Sequence, residues 1–244
     1  YYTDENGFLT LPDEITYGDY ELTEVIPPNG YVLNTTPVSF SIDGNTPEVV
    51  IRLSDKPEKG KISVLKRGEM FSSVEVSEDR YVPVYSEKGL KGAEFEVSAA
   101  EDIYTADGTL RIKAGETADR IISGEDGTAV SKELYPGKYL LREISAPDGF
   151  VLDTEVKELT VTAGIKKIEV KNERKKQEYA IQKNLETDQK FGIGFNGEIF
   201  NIRFGLFSKT ELTALDGSII PAGGLIEVAT PDEDGFISFT ADMP

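Results

Sequence analysis

The feature that most constrains the fold of this chain is an internal repeat of a strand followed by a turn. The segment YGDYELTEVIPPNGYVL (17–33) aligns with YPGKYLLREISAPDGFVL (135–152), so that Glu24 falls on Glu143. Side chains alternate along a β-strand, so Glu143 shares one face with Tyr139 and Leu141. An unpaired carboxylate on a buried face is costly and needs a partner. The repeat therefore predicts β-structure with an inward-facing glutamate in each copy.

A second repeated element is a turn that contains glycine. The segments DENGFLTL, GEDGTAVS and DEDGFISF each place an acidic turn before an alternating strand, with Gly7, Gly127 and Gly235 at the same position. This pattern predicts one kind of hairpin turn that recurs along the chain. The acidic residues lack the alternating ligand spacing of an EF-hand loop, so no calcium site is predicted.

The segments that join successive repeats also match each other. In VVIRLSDKPEKGKISVLK (49–66), Asp55 precedes Lys66 by the same spacing as Asn172 precedes Lys183 in the later segment. One unit is thus expected to end in a strand with Asp or Asn, and the next to begin with a strand that ends in Lys. Alternation predicts three inward-facing sets: Ile62, Val64 and Lys66; Ile168, Val170 and Asn172; and Tyr179, Ile181 and Lys183.

These alignments divide the chain into units. Residues 1–57 are interpreted as the C-terminal half of one repeat, 58–174 as a complete repeat, and 175–244 as the N-terminal part of a third. Closely spaced short strands, such as GLKGAEFEVSAA with Phe95 and Val97 inward, are typical of a β-sandwich. Linkers such as DKPEKG are too short for free swivelling. We therefore predict an all-β chain of tandem β-sandwich repeats arranged as a rod.

Two segments of the complete unit depart from this pattern. The insertion 67–89 is expected to add a hairpin, and its apolar residues either bind a partner or cover the sandwich edge. Those residues are Met70, Phe71, Tyr81, Val82 and Tyr85. The segment AAEDIYTADGTLRIKAGE is the most loop-like part and has room for one helical turn.

Composition excludes several classes of function. The net charge of −18, from 44 acidic and 26 basic residues, makes nucleic acid and anionic lipid unsuitable partners. The chain has no cysteine and no histidine, which removes disulfides, thiol nucleophiles and the usual zinc sites. No apolar stretch approaches the roughly 20 residues of a transmembrane helix. We expect no cofactor, no metal and no membrane insertion by this segment.

A recognisable combination of motifs spans residues 59–173. The opening ISVLK, then LKGAEFEV, YPGKYLLREISAPDGF and the closing IEVKN, resembles the Cna B-type (SpaA-type) domains of Gram-positive surface proteins and pilins. The resemblance extends to the partial units on either side. It implies a prealbumin-like, inverse immunoglobulin-like sandwich that contains an intramolecular isopeptide bond. In this chain the bond would join Lys66 to Asn172, with Glu143 as the proton shuttle.

The resemblance also reaches the partial units. Glu24 and Asp55 match the glutamate and the acceptor in the first unit, and Lys183 matches the lysine in the third. With Asp in place of Asn, the first unit would release water rather than ammonia.

The chemistry of these residue types supports such a bond independently. Burial lowers the pKa of a lysine and raises that of a carboxylic acid. A neutral Lys66 amine is a nucleophile, and a protonated Glu143 can polarise the Asn172 amide and pass a proton to the leaving ammonia. The alternative is that the three residues form only a buried, hydrogen-bonded ion pair.

Three functions follow as hypotheses. The leading one is a structural stalk of an extracellular, cell-wall-anchored Gram-positive adhesin or pilin-like protein, in which isopeptide bonds take the place of disulfides. Its expected partners are the neighbouring repeats of the same chain. The alternative is a binding module that engages a host extracellular protein such as a matrix protein, glycoprotein or antibody. An enzyme is weakly supported, because acidic pairs such as Glu101 and Asp102 are typical of a solvated turn rather than a glycosidase site. The only reaction expected is a single autocatalytic turnover.

Overall fold

The computed structural model describes residues 2–10, 15–45, 48–176, 179 and 181–243, and their regular structure is almost entirely β-strand. The first unit contains β1 (Gly18–Leu22), β2 (Tyr31–Val32), β3 (Val38–Ile42) and β4 (Lys56–Pro57). In this unit β1 pairs with β3 and β2 pairs with β4, both antiparallel.

The complete unit holds the longest strands. They are β5 (Gly60–Ser77), β6 (Arg80–Gly89), β7 (Glu94–Ala99), β8 (Ile103–Tyr104), β9 (Leu110–Ile112), β10 (Thr117–Ile122), β11 (Thr128–Val130), β12 (Gly137–Ser145), β13 (Lys157–Val161) and β14 (Gly164–Asn172). The third unit has shorter ones. They are β15 (Ile181–Gln182), β16 (Phe204–Phe207), β17 (Leu212–Thr213), β18 (Ile219–Ile220), β19 (Leu225–Ala229) and β20 (Phe236–Ile237), with a 3-10 turn at Glu198–Asn201.

The complete unit is a sandwich of two sheets. One sheet has the strand order β10-β7-β12-β13, and the other has the order β11-β5-β14, with β6 also paired to β5. Between them lies one apolar core, which includes Ile62, Val64, Phe95, Val97, Tyr139, Leu141, Leu159, Val161 and Val170. The all-β sandwich expected from the sequence is confirmed. None of the helical segments among the described residues is long and apolar enough to cross a lipid bilayer.

The first and last strands of the sandwich lie side by side. Strand β14 pairs with β5 in parallel, with Val170 opposite Lys66 and Asn172 opposite Gly68. A parallel pair cannot be closed by a tight hairpin and needs a long crossover, which here is the rest of the unit. Residues distant in sequence are thereby brought to neighbouring positions on one sheet.

The predicted glycine turn occurs with the same hydrogen bonds in each copy. Gly127 donates its N–H to the Gly124 carbonyl at 2.9 Å, and Gly235 donates to Asp232 at 3.1 Å, both with φ near +80°. Two copies that the sequence analysis missed lie in TADGT (105–109) and ALDGS (214–218). The first of these copies closes the β8–β9 hairpin. The prediction that residues 99–116 have room for a helical turn is therefore wrong.

Two expected inward-facing strands differ from the prediction. Residues 49–55, in which the first unit was expected to end in a strand, form no strand. Among the described residues they have no parallel partner strand such as β5 provides for β14. In the third unit Tyr179 and Ile181 are exposed, while Lys183 is half-buried. There β15 pairs only with β20 among the described residues, and Ile181 keeps 41% of its surface exposed. The unit boundaries themselves remain a prediction.

The insertion 67–89 forms a hairpin, as expected. Strand β5 runs on beyond the sandwich to Ser77, turns through Glu78 and Asp79, both with positive φ, and returns as β6. Positive φ at both central residues is typical of a two-residue type I′ turn.

The far half of this hairpin packs on the third unit rather than on the sandwich edge. The N–H groups of Leu215 and Asp216 donate to the carbonyls of Phe71 and Ser72, each at 3.1 Å. The Val74 N–H donates to the Ser218 hydroxyl oxygen at 2.8 Å. The expectation that these residues cover the sandwich edge is therefore wrong for this part of the hairpin.

Arg174 sits where the sandwich, the hairpin and the third unit meet. Its guanidinium lies 3.5 Å from the centroid of the Tyr85 ring, forms an ion pair with Asp242, and approaches Glu69 at 3.6 Å. The Tyr85 hydroxyl donates to the Asp242 carbonyl at 3.3 Å. Burial, the largest effect, and the Asp242 charge raise the pKa of Tyr85 to about 12, although Arg174 opposes the shift. The junction is thus a partly buried charged contact built from three segments.

We predict that Gly127→Ala destabilises the fold more than Gly108→Ala does. Both glycines have φ near +80°, but a Cβ at Gly127 would lie 2.3 Å from the Lys66 carbonyl oxygen, whereas Gly108 faces open space. Backbone strain costs about 1–3 kcal/mol at either site, and the overlap adds about 1–3 kcal/mol at Gly127 only. Urea denaturation measures both losses, and equal losses would contradict the close approach.

We also predict that Arg174→Ala loosens the third unit without unfolding the sandwich. Losing the ring contact and the partly exposed ion pair should cost about 1–3 kcal/mol locally. Hydrogen exchange should accelerate in β16, β19 and the distal hairpin but not in β7 or β12. Arg67→Ala is the matched control, because Arg67 pairs with Glu87 and Glu169 on the exposed face of the same hairpin. Unchanged exchange in the third unit would refute the junction.

Candidate functional site

Lys66 is carried into the core by the alternation of β5. Ile62, Val64 and Lys66 face inward as predicted, and Lys66 is 0% exposed. Its N–H donates to the Gly127 carbonyl at 2.8 Å, which ties this part of β5 to the repeated turn. The ammonium nitrogen lies 5.6 Å from the centroid of the Phe95 ring. The amine is therefore held in an apolar setting by its strand, by the turn and by an aromatic ring.

Glu143 reaches the same point from the opposite sheet. Tyr139, Leu141 and Glu143 all face inward from β12, and Glu143 is 4% exposed. The register of β12 against β7 shifts between Glu143 and Ser145, which marks a bulge directly after the glutamate. Bulges commonly re-aim side chains next to functional sites.

Asn172 is the last residue of β14 and is 6% exposed. It lies opposite Gly68, where a Cβ would come within 2.7 Å of both Phe150 and Leu90 side-chain atoms. The absence of a side chain at Gly68 lets the surrounding residues close tightly over the end of β14.

The three predicted residues meet in one cluster. The Lys66 Nζ donates to Asn172 Oδ1 and lies 2.8 Å from Glu143 Oε1. The Asn172 Nδ2 donates to the same Glu143 Oε1 at 3.0 Å. One carboxyl oxygen therefore contacts both the amine and the amide nitrogen.

Burial lowers the pKa of Lys66, and this effect outweighs the opposing hydrogen bond and charge of Glu143. Asp153 also acts to raise the pKa, and Lys157 acts to lower it. A lowered pKa makes the neutral, nucleophilic amine more accessible than it is for a lysine in water. The cluster therefore places a carboxyl oxygen 2.8 Å from an amine that holds its proton less tightly than a lysine in water does.

The first unit repeats half of this arrangement. Glu24 and Asp55 lie together, and the pKa of Asp55 is raised by burial first and then by the charge and hydrogen bond of Glu24. The Asn34 N–H donates to Glu24 Oε2 at 2.8 Å. The structure thus brings the two predicted residues of this unit into contact.

Lys183 in the third unit occupies the backbone position of Lys66. Its N–H donates to the Gly235 carbonyl at 2.8 Å, as the Lys66 N–H does to Gly127. It is half-buried and lines a cleft of about 450 Å³ together with Glu198, Phe200 and Glu233.

One participant escaped the sequence analysis. The Asp153 N–H donates to Glu143 Oε2 at 2.7 Å. The signal that could have found it is a short polar residue at the same distance after each glutamate, Asn34 after Glu24 and Asp153 after Glu143. Asn and Asp at such positions favour a local turn through their own side chains.

Comparisons with known proteins place this sequence in a family. The sequence matches the SpaA prealbumin-like fold domain over residues 1–57 and 83–176. It is 30% identical over 86 residues to the trypsin-resistant surface T6 protein of Streptococcus pyogenes serotype M6, covering 34% of this chain and 16% of that protein. This chain therefore spans a small part of that relative.

One solved structure agrees with the sandwich fold. The Bacillus anthracis TIE protein matches 97% of this chain and 36% of its own length with a TM-score of 0.57 at 22% identity. GBS52, the minor pilin of Streptococcus agalactiae, covers 76% of this chain and 70% of its own, with a TM-score of 0.33 and 18% identity. Because the family match extends over more than half of the sequence, this chain belongs to the SpaA prealbumin-like fold domain family.

Proposed function

We propose that this chain is a structural stalk segment of a Gram-positive cell-surface protein, an adhesin or pilin-like protein anchored to the cell wall. In this proposal the sandwich is cross-linked by an isopeptide bond between Lys66 and Asn172, formed once by the protein itself with Glu143. The observation that carries it is the contact of Lys66, Glu143 and Asn172 in a core where all three are buried.

The first step is proton transfer from Lys66 to Glu143, followed by attack of the Lys66 amine on the Asn172 side-chain amide. The Lys66 ammonium passes a proton to Glu143 Oε1, which lies 2.8 Å away. The neutral amine then adds to Cγ of Asn172, forming the new C–N bond, while the protonated carboxyl hydrogen-bonds the amide. Folding holds the reactants together, and well-oriented groups reach effective molarities of about 10⁵ M or more.

The second step expels ammonia. Glu143 Oε1 is 3.0 Å from Asn172 Nδ2 and donates a proton to it as the original C–N bond breaks. Two protons leave the Lys66 nitrogen in all. One completes the ammonia, and the other stays on Glu143 or departs with ammonia as ammonium. The products are a neutral secondary amide and one ammonia.

The position of the cross-link suits a load-bearing domain. Lys66 and Asn172 are 106 positions apart and lie on the first and last strands of the sandwich. In the chain-entropy model, a cross-link that closes about 100 residues stabilises a fold by about 4–5 kcal/mol. The chain has no cysteine, so disulfides cannot supply this stabilisation.

Direct binding of a host protein by these repeats is the second hypothesis, and it stays a prediction. The aromatic residues proposed for it, Phe71, Tyr81 and Tyr85, are half-buried. A partner would therefore meet the exposed tip, where Val76 and Val82 are accessible.

We predict that the intact chain weighs one ammonia less than its sequence formula. Peptide mapping should recover the segments that hold Lys66 and Asn172 as one branched peptide. Lys66→Ala, Asn172→Ala and Glu143→Gln should each keep the full formula mass, because each removes a reactant or the proton carrier. Lys61→Ala serves as the matched control, since Lys61 lies on the same strand but outside the cluster, and it should still lose ammonia.

Free Lys66 and Asn172 in the wild-type peptide map would refute the cross-link and would leave a buried ion pair. Loss of ammonia in Glu143→Gln would remove Glu143 from the proposed mechanism but not the bond itself.

We further predict a large stability difference between linked and unlinked protein. Asn172→Ala should unfold at lower temperature than the wild type, with a loss of at least about 4 kcal/mol. Differential scanning calorimetry, with Lys66→Ala as a second unlinked variant, measures this loss. A wild type that is linked by mass yet melts together with both variants would contradict a stabilising role.

A further inference from the structure

We infer that the backbone N–H of Asp153 is a positioning group for the proposed bond formation, on which this inference rests. It fixes one oxygen of the Glu143 carboxyl so that the other oxygen alone carries the proton between Lys66 and Asn172. The loop 151–156 thereby takes part in the reaction without contributing a reacting atom.

The two carboxyl oxygens of Glu143 have different partners. Oε1 lies 2.8 Å from Lys66 Nζ and 3.0 Å from Asn172 Nδ2, whereas Oε2 accepts the Asp153 N–H at 2.7 Å. A protonated carboxyl has one O–H donor, and an oxygen that accepts a backbone N–H must offer a lone pair to it. The proton is therefore directed to Oε1, which faces both nitrogens.

The direction of this N–H is set by its own turn. Asp153 Oδ1 accepts the Glu155 N–H at 2.9 Å, which forms an Asx turn, and Asp153 Oδ2 lies 3.5 Å from Lys157 Nζ. An Asx turn fixes the local backbone through the side chain. The donor is thus held before the reaction begins, as expected for a preorganised site.

The first unit carries the same device independently. Asn34 follows Glu24 by 10 residues, as Asp153 follows Glu143, and its N–H donates to Glu24 Oε2 at 2.8 Å. Asn34 Oδ1 likewise accepts the Thr36 N–H at 3.1 Å. An amide replaces the carboxylate there, so the shared elements are the N–H donor and the Asx turn rather than the charge.

The test uses the whole chain and the rate of ammonia loss, followed by intact mass at intervals after rapid purification. Asp153→Pro removes the N–H. Thr154→Pro places the same ring one residue later, at an exposed position, and keeps the Asp153 N–H. Asp153→Asn reproduces the donor and the turn of the first unit. Melting temperatures are compared with that of Asn172→Ala, which folds without the bond.

Asp153→Pro should slow bond formation about tenfold or more, because a hydrogen bond to a charged group is lost. Before it is linked, it should melt like Asn172→Ala. Thr154→Pro should react at the wild-type rate, and Asp153→Asn should restore the rate relative to Asp153→Pro. A merely structural role would instead lower the melting temperature of Asp153→Pro below that of Asn172→Ala.

If Asp153→Pro does not fold, Asp153 is replaced by the α-hydroxy acid that has the same side chain. The resulting backbone ester lacks the N–H donor and keeps the carboxylate of the Asx turn. Wild-type rates in that variant or in a folded Asp153→Pro would overturn the positioning role and leave the cross-link standing. Absence of ammonia loss in the wild type would overturn both.

Discussion

The parallel pairing of β5 with β14 is the constraint on which the complete unit depends. It brings residues 106 positions apart onto neighbouring strands and fixes Val170 opposite Lys66. The approach requires glycine where the backbones come closest, since a Cβ at Gly60 would lie 1.9 Å from the Thr162 carbonyl oxygen. The remaining strands serve as the crossover that returns the chain to its first strand.

That pairing also creates an energetic problem that the proposed chemistry would relieve. A buried ammonium and carboxylate lose hydration that their mutual attraction only partly repays. In this sandwich the Asn172 amide and the Asp153 N–H supply the further hydrogen bonds that Lys66 and Glu143 need. Conversion of the ammonium into a secondary amide would remove the buried positive charge altogether.

Closely spaced short strands predicted the sandwich. Strand alternation, with its period of two, predicted the inward direction of Lys66, Glu143 and Asn172. The sequence analysis missed the Asp153 N–H, since a backbone donor shows in the sequence only indirectly, through the turn-forming residues Asn34 and Asp153 at the same distance after each glutamate. Nor did it predict the hairpin contact with the third unit. Half-exposed aromatics look alike whether their partner is the same chain or another molecule, and only tertiary structure distinguishes the two.

Strand β5 belongs to two units at once, because its first part lines the sandwich core and its last part packs against the third unit. Cutting the chain at the repeat boundary near residue 174 would uncover the inner side of the hairpin, including Phe71 and Tyr85. An uncovered apolar strand pair is a surface for edge-to-edge association. A fragment that ends at this predicted boundary is therefore expected to self-associate more readily than one that includes the third unit.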